Sequence, residues 1–333
     1  MSKRNLIILS LLMLIFVVEV LILAPDEIGI REPKEEIQEK VKISKELGSG
    51  AQVMGDFHLV LSKGEKGEGE VWGIKATRLD SLAPWIIDQV RVKFFAASGA
   101  SYLVTGDQGT VAGGKKNVND VQVKGHVITH SSNGYIFKTE LANYESTERK
   151  LLSPGAVYVI GPPDENKNSL TVNGENMEAD LQSNVIEIKR NVHAKKSVRD
   201  NKIANITSQR AVFSGKSNAV KFLGNVVIDV ETLRITGPVA TFNYKPGTDL
   251  IDTMVISGGS RVTDNDKLAT SDKVTVHFDD DRYVFSGSPR VVQNGDELVG
   301  DEISFLNGGK QVKVSNAHAK IDSGDIEKNR KKK

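Results

Sequence analysis

The chain contains no cysteine. This absence excludes disulfide frameworks, thiolate zinc sites, iron–sulfur clusters and cysteine nucleophiles together. It also lacks a dominant sign of charge: 44 Lys and Arg oppose 43 Asp and Glu, for a net charge of +1. Binding nucleic acid by counterion release needs clustered excess base, so nucleic acid is not expected as a partner. Reactive chemistry is scarce as well. The six histidines (His58, His126, His130, His193, His277 and His318) are scattered. His126 and His130 on one strand would stand about 13 Å apart, too far to share a metal. Asp279-Asp280-Asp281 and Asp264-Asn265-Asp266 sit where hairpin turns are expected, because Asx side chains bond their own backbone there. GEKGEGE at 64–70 is a turn, since no phosphate-loop context surrounds its glycines. No serine-hydrolase elbow, zincin or dinucleotide fingerprint occurs. The sequence therefore predicts no enzyme, no metal and no cofactor.

Long hydrophobic runs are also missing, with one exception. Residues 6–24 (LIILSLLMLIFVVEVLILA) include only Ser10 and Glu19 as polar positions. At about 1.5 Å per residue this run matches a hydrocarbon layer of ~30 Å. Lys3 and Arg4 precede it, which predicts a cytoplasmic stub at 1–5, a single-pass anchor at 6–24 and the remainder outside. Ile22-Leu23-Ala24 before Pro25 is a poor signal-peptidase site, which favours an uncleaved anchor. Glu19 is a candidate contact with a membrane partner's helices. Residues 25–50 read as a charged linker, and 326–333 as a basic, solvated tail.

What the rest of the chain has is valine. From residue 101 onward there are 28 Val and 12 Leu, which favours strands over helices. A repeat runs through this region. KGHV, SPGAV, KRNV, LGNV, GGSRV and GSPRV end at Val127, Val157, Val192, Val226, Val262 and Val291. Between them recurs a small or polar pair followed by alternating apolar residues, as in TELANY, SQRAVF and GPVATFNY. Each repeat is about two strands, a unit that must stack on its neighbours to bury an apolar face. The predicted fold is all-β.

Alternation assigns the faces. In AVKFLGNVVIDV, Val220, Phe222, Val226, Ile228 and Val230 share one side while Lys221, Asn225 and Asp229 share the other. Leu233 and Ile235 follow inside. Ala240, Phe242 and Tyr244 do so after a phase change near Gly237-Pro238, and then Val276, Phe278, Phe285 and Phe305. These side chains either fill an ordinary sandwich core or line a slot between two sheets, and alternation does not separate the two.

An anchor followed by Gly-x-Val strand repeats resembles the lipopolysaccharide export bridge family. VWGIKATRLD, YLVTGDQGTV, VQVKGHV, GYIFKTELANYES and SLTVNGENMEADL resemble its LptC-type anchored module, assigned here to 51–197. IANITSQRAVF, AVKFLGNVVIDVETLRITGPVATF, DKVTVHF and YVFSGSPRVVQNGDELVGDEISFLN resemble its LptA or OstA-like module, assigned to 198–325. The resemblance implies two tandem open β-jellyrolls behind the transmembrane helix. It implies an inner-membrane, single-pass protein with its bulk in the periplasm. It further implies a conduit that accepts lipopolysaccharide from an inner-membrane ABC transporter and slides the lipid A acyl chains between its sheets. Implied groove residues are Val127, Tyr135, Phe137, Phe222, Val226, Ile228, Leu233, Ile235, Phe242, Val276, Phe278, Phe285 and Phe305. A further LptA-like protein or an outer-membrane LptD-like translocon would join by edge-strand pairing. The alternative is a purely structural β scaffold with a closed core and no lipid groove.

Overall fold

A computed structural model describes residues 51–320, apart from 64–65, 97–98, 113–119, 165, 199–201, 216, 246–247, 249 and 307–309. The described residues from Met54 onward belong to one compact unit. Its elements are all strands. They are β1 (Gln52–Lys63), β2 (Lys66–Arg78), β3 (Trp85–Phe95), β4 (Ser101–Val111), β5 (Val121–Ser131), β6 (Ile136–Glu145) and β7 (Lys150–Pro163). Then come β8 (Ser169–Asp180), β9 (Val185–Ser197), β10 (Ile203–Ser208), β11 (Arg210–Ser214), β12 (Ala219–Val230), β13 (Leu233–Tyr244) and β14 (Ile251–Asp264). The last are β15 (Lys267–His277), β16 (Arg282–Ser286), β17 (Arg290–Gln293), β18 (Asp296–Val299), β19 (Glu302–Leu306), β20 (Gln311–Ser315) and β21 (His318–Lys320).

The strands form one antiparallel meander. From β2 to β9 each pairs with the next. β10 and β11 are two halves of one interrupted strand, since both pair with β9 on one side and β12 on the other. The predicted module boundary near 197/198 falls in the β9–β10 turn, where the Val198 N–H donates to the Lys202 carbonyl. Hydrogen bonding crosses this turn without a break.

The long strands, 10 to 14 residues against the usual five or six, are bent in the middle. In β5 the register shifts between Lys124 and Val127, and in β12 between Leu223 and Val226. Gly125-His126 and Gly224-Asn225 supply the positive φ angles there (78° and 44°, 79° and 48°). The Gly-x-Val repeat is thus a mid-strand corner rather than a strand end, and an extra residue at each corner is what bends the sheet. The phase change at Gly237-Pro238 has the same cause, a shift between Thr236 and Val239.

Bent strands fold the sheet over on itself. Residues on strands that are not neighbours therefore meet inside: the rings of Phe94 (β3) and Tyr144 (β6) are 4.2 Å apart. The Tyr102 hydroxyl donates to Asn184 Oδ1 at 2.7 Å, tying β4 to the β8–β9 turn. Tyr135, before β6, meets Phe213 of β11 edge-on at 5.7 Å.

The all-β expectation holds, and the membrane part of the prediction is corrected. No helix among the described residues is long and apolar enough to cross a membrane. The regular structure of the described residues is strand throughout, and the single-pass, inner-membrane placement and the anchored-conduit reading built on it are dropped. The 6–24 run and Glu19, on which that placement rested, lie outside the described residues, as does the 326–333 tail.

Candidate functional site

The two faces of the folded sheet part over β8–β16 and leave an apolar cleft of about 540 Å³. One wall comes from strand halves on one side of the corners: Ile206 of β10, Ile228 and Val230 of β12, and Leu233 and Ile235 of β13. The facing wall comes from the other halves: Val220, Phe222, Phe242, Met254 and Val276. Phe222 and Ile228 lie on the same strand yet on opposite walls, because the corner at Gly224-Asn225 turns the chain between them. Phe222 and Phe242 pack edge to face at 5.7 Å and 86°, stiffening their wall. Toward the rims the lining residues Leu233, Tyr244, Ile251 and Tyr283 are only partly buried.

Charge is confined to the rim. Lys196 donates to Asp164 Oδ2 at 2.6 Å and to the Asn168 carbonyl at 2.8 Å. Burial alone would raise the Asp164 carboxyl, but Lys196 and the N–H groups of Asn168 and Asn166 outweigh it and hold the group below the usual carboxylate range. Lys202 pairs with Glu231 at 2.8 Å across the β9–β10 and β12–β13 turns. Asp264 accepts from the Thr232 hydroxyl at 2.7 Å.

Seven of the thirteen expected groove residues line this cleft: Phe222, Ile228, Leu233, Ile235, Phe242, Val276 and Phe278. The others lie elsewhere. Val226 is buried at the corner of β12. Phe285 and Phe305 pack on each other at 5.6 Å along the next strands. Val127 and Phe137 are each 1% exposed in the core of the first strands, and Val127 also borders the depression outside β5–β9 described next. Tyr135 borders a separate small cavity with Phe213 and Tyr244. Sequence reasoning missed Leu170, Ala204, Ile206 and Met254. Alternation in IANITS, with Ala204 and Ile206 buried, was the available signal for two of them.

A second depression, about 650 Å³, runs outside the corners of β5–β9 past His126, Glu140, Tyr158, Glu175 and His193. It is larger but wide open, on the solvent side of the sheet. Asp107, bonded to His126 Nδ1 at 2.7 Å, raises the imidazole's pKa. Among the described residues no group of three or more His, Asp or Glu is placed to hold a metal.

Most of the residues that line the cleft fall within a match to a known family. Residues 205–308 fit the family described as LptA/(LptD N-terminal domain) LPS transport protein. That match covers about a third of the chain, and over those residues the chain is similar to LptA/LptD-type lipopolysaccharide-transport proteins. Among solved structures it is similar to LptH, the LptA-homologous periplasmic component of the lipopolysaccharide transport device of Pseudomonas aeruginosa. That similarity is 13% identity over 36% of this chain and 94% of that one, with a TM-score of 0.32. No curated protein matches. The bridge-type class is one of transport, not catalysis, in keeping with a site built of hydrocarbon walls.

Proposed function

We propose that the chain is a non-catalytic β scaffold of a lipopolysaccharide-transport bridge. The observation that carries this reading is the bridge-family match over 205–308 on strands that continue, hydrogen bond by hydrogen bond, from a closed β2–β9 core. Among the described residues β1 ends the meander on one side and β20 and β21 on the other. Further bridge-type domains would add to these edges by main-chain pairing, as exposed strand edges permit. In lipopolysaccharide-exporting cells, depleting the protein is expected to reduce lipopolysaccharide at the cell surface and to leave it internal. Unchanged surface lipopolysaccharide after depletion would refute the scaffold role.

The cleft favours a second reading for the family-matched strands, in which it holds acyl chain. A methylene fills roughly 30 Å³, about one water's share of liquid volume, so the cleft accommodates on the order of eighteen methylenes. At ~0.8 kcal/mol each, burial contributes about 14 kcal/mol at most, against an association cost of about 4–15 kcal/mol. The balance is a hold loose enough for release. Photo-crosslinkers at Ile228 and Ile235 should label lipopolysaccharide, and one at Phe137, in the filled core, should not. Absence of adduct at both cleft positions sinks this reading and leaves the scaffold role standing.

A further inference from the structure

We propose that the depression outside the corners of β5–β9 binds a neutral, extended glycan. This rests on neither the scaffold nor the acyl-chain reading, because the depression lies on the solvent side of the sheet and shares no lining residue with the cleft. One row of it is in register across five strands. Ile128 (β5) pairs with Lys138 (β6), Lys138 with Tyr158 (β7), Tyr158 with Asn173 (β8) and Asn173 with His193 (β9). A second rail, toward the corners, is made by His126, Glu140, Glu175 and Asn191. Strand spacing sets these groups at steps of about 4.8 Å, over about 19 Å in all. An extended chain of pyranose rings advances by nearly the same step, so successive rings meet successive strands. Other polymers fit less well. Each of β5 to β9 already uses its main chain in ladders on both sides, so an extended peptide finds no edge to pair with. Glu140 and Glu175 stand among Lys138, His126 and His193, so no clustered excess of base tracks a phosphate backbone. Among the described residues, no other side chain engages Lys138, Asn173 or Glu175. Lys138 donates, Glu175 accepts and Asn173 does both, which suits hydroxyls that themselves donate and accept. Tyr158, half-buried at the centre of the row, supplies an aromatic ring for the C–H side of a sugar.

The test is isothermal titration of the full chain with cellotetraose and chitotetraose, which are extended, and with maltotetraose, which coils. The extended pair should bind, and the coiled chain should bind more weakly. Losing one hydrogen bond changes affinity about two- to tenfold, so Asn173→Ala and Glu175→Gln should each weaken both extended probes by that factor. Both side chains point outward, and an unchanged thermal midpoint shows the fold intact. Tyr158→Ala should also cost about two- to tenfold, whereas Tyr158→Phe, which keeps the ring, should retain most of the affinity. Lipid-free saccharide cut from lipopolysaccharide is titrated alongside. Competition with cellotetraose makes lipopolysaccharide sugar the occupant, and no competition makes it a separate glycan. The inference is overturned if neither extended tetrasaccharide binds, if maltotetraose binds as tightly, or if binding is undiminished in Asn173→Ala/Glu175→Gln. None of these results alters the crosslinking outcome at Ile228 and Ile235, which decides the acyl-chain reading by itself.

Discussion

Replacing Gly224 and Gly237 by alanine, one at a time, separates the two physical reasons for glycine at these corners. The residues lie on neighbouring strands, with Val226 pairing opposite Gly237. Gly224 has φ +79°, and a Cβ built there meets the Oε1 of Gln209. The exposed amide of Gln209 can swing away, leaving its Cβ at 3.0 Å, so the larger cost lies in the backbone, about 1–2 kcal/mol for a left-handed L-residue. Gly237 has no such angle. Its Cβ would fall 2.5 Å from Ile256 Cγ2 and 3.0 Å from the Gly259 carbonyl, and Ile256 is 1% exposed. Overpacking of this kind costs about 1–3 kcal/mol. Both variants should lower the thermal midpoint followed by circular dichroism, by roughly 2–4 °C per kcal/mol for a unit of this size. Their rescues differ. Ile256→Leu removes Cγ2, costs under ~1.5 kcal/mol alone, and should make Gly237→Ala less damaging than additivity predicts. Gln209→Ala should leave Gly224→Ala unrelieved, whereas Gly224→Asn should cost less, because Asn tolerates this region. If Gln209→Ala restores Gly224→Ala, the corner is a matter of packing and the backbone argument fails.

Phe222→Ala should destabilise by about 3–5 kcal/mol in denaturant unfolding, since the ring is 1% exposed. A double-mutant cycle with Phe242→Ala should return a coupling of about 0.5–1.5 kcal/mol; none would mean that the edge contact does not stiffen the wall. Glu68 is 4% exposed beside Arg149, 4.0 Å away, and Tyr144, whose hydroxyl burial and the Glu68 charge push up to about 12. Arg149→Met strands that carboxylate and should cost about 3–5 kcal/mol, with Glu68→Gln added in the double variant recovering part of it. The depressed pKa of Asp164 contributes stability that is present above the unfolded value near 4 and lost as pH falls through the folded one. Acid unfolding followed below about pH 4 should therefore be less steep in Lys196→Met, and an unchanged profile would remove the pair from that role.

Much of this fold was legible in the sequence for a simple reason. Strand alternation fixes which way a side chain points, so Phe222, Ile228, Ile235 and Val276 could be placed inside from period two alone. The corners were legible too, though not as corners. Gly125-His126 and Gly224-Asn225 stood out as a repeat because bending a long strand needs the same positive φ each time. What alternation cannot report is how far apart two facing walls stand. Val127 and Phe137 obey the same rule as Ile228 and Ile235, yet only the second pair lines the cleft. The membrane placement rested on a hydropathy run alone, and no strand pattern bears on it.

The difference between the filled and parted regions is carried by residues that a hydropathy reading sets aside. Over β3–β9 the walls are drawn together by polar ties between distant turns. The Tyr102 hydroxyl reaches Asn184, and the Arg149 guanidinium donates to the Phe95 carbonyl at 2.8 Å. Both ties reach toward rings of the packed core: Tyr102 is itself 1% exposed, and Phe94, beside Phe95, packs on Tyr144. Over β10–β16 two rim contacts run between turns on the same side of the corners instead. Lys202 meets Glu231, and Thr232 meets Asp264. Contacts along a rim strengthen each wall without pulling it toward the other, so hydrocarbon such as Leu233 and Ile251 stays partly exposed. A cross-wall tie costs conformational freedom in both walls and is favourable only where buried rings fill the space beneath it. Where that filling stops the walls stay parted, and the same repeat yields a packed core at one end and an apolar cleft at the other.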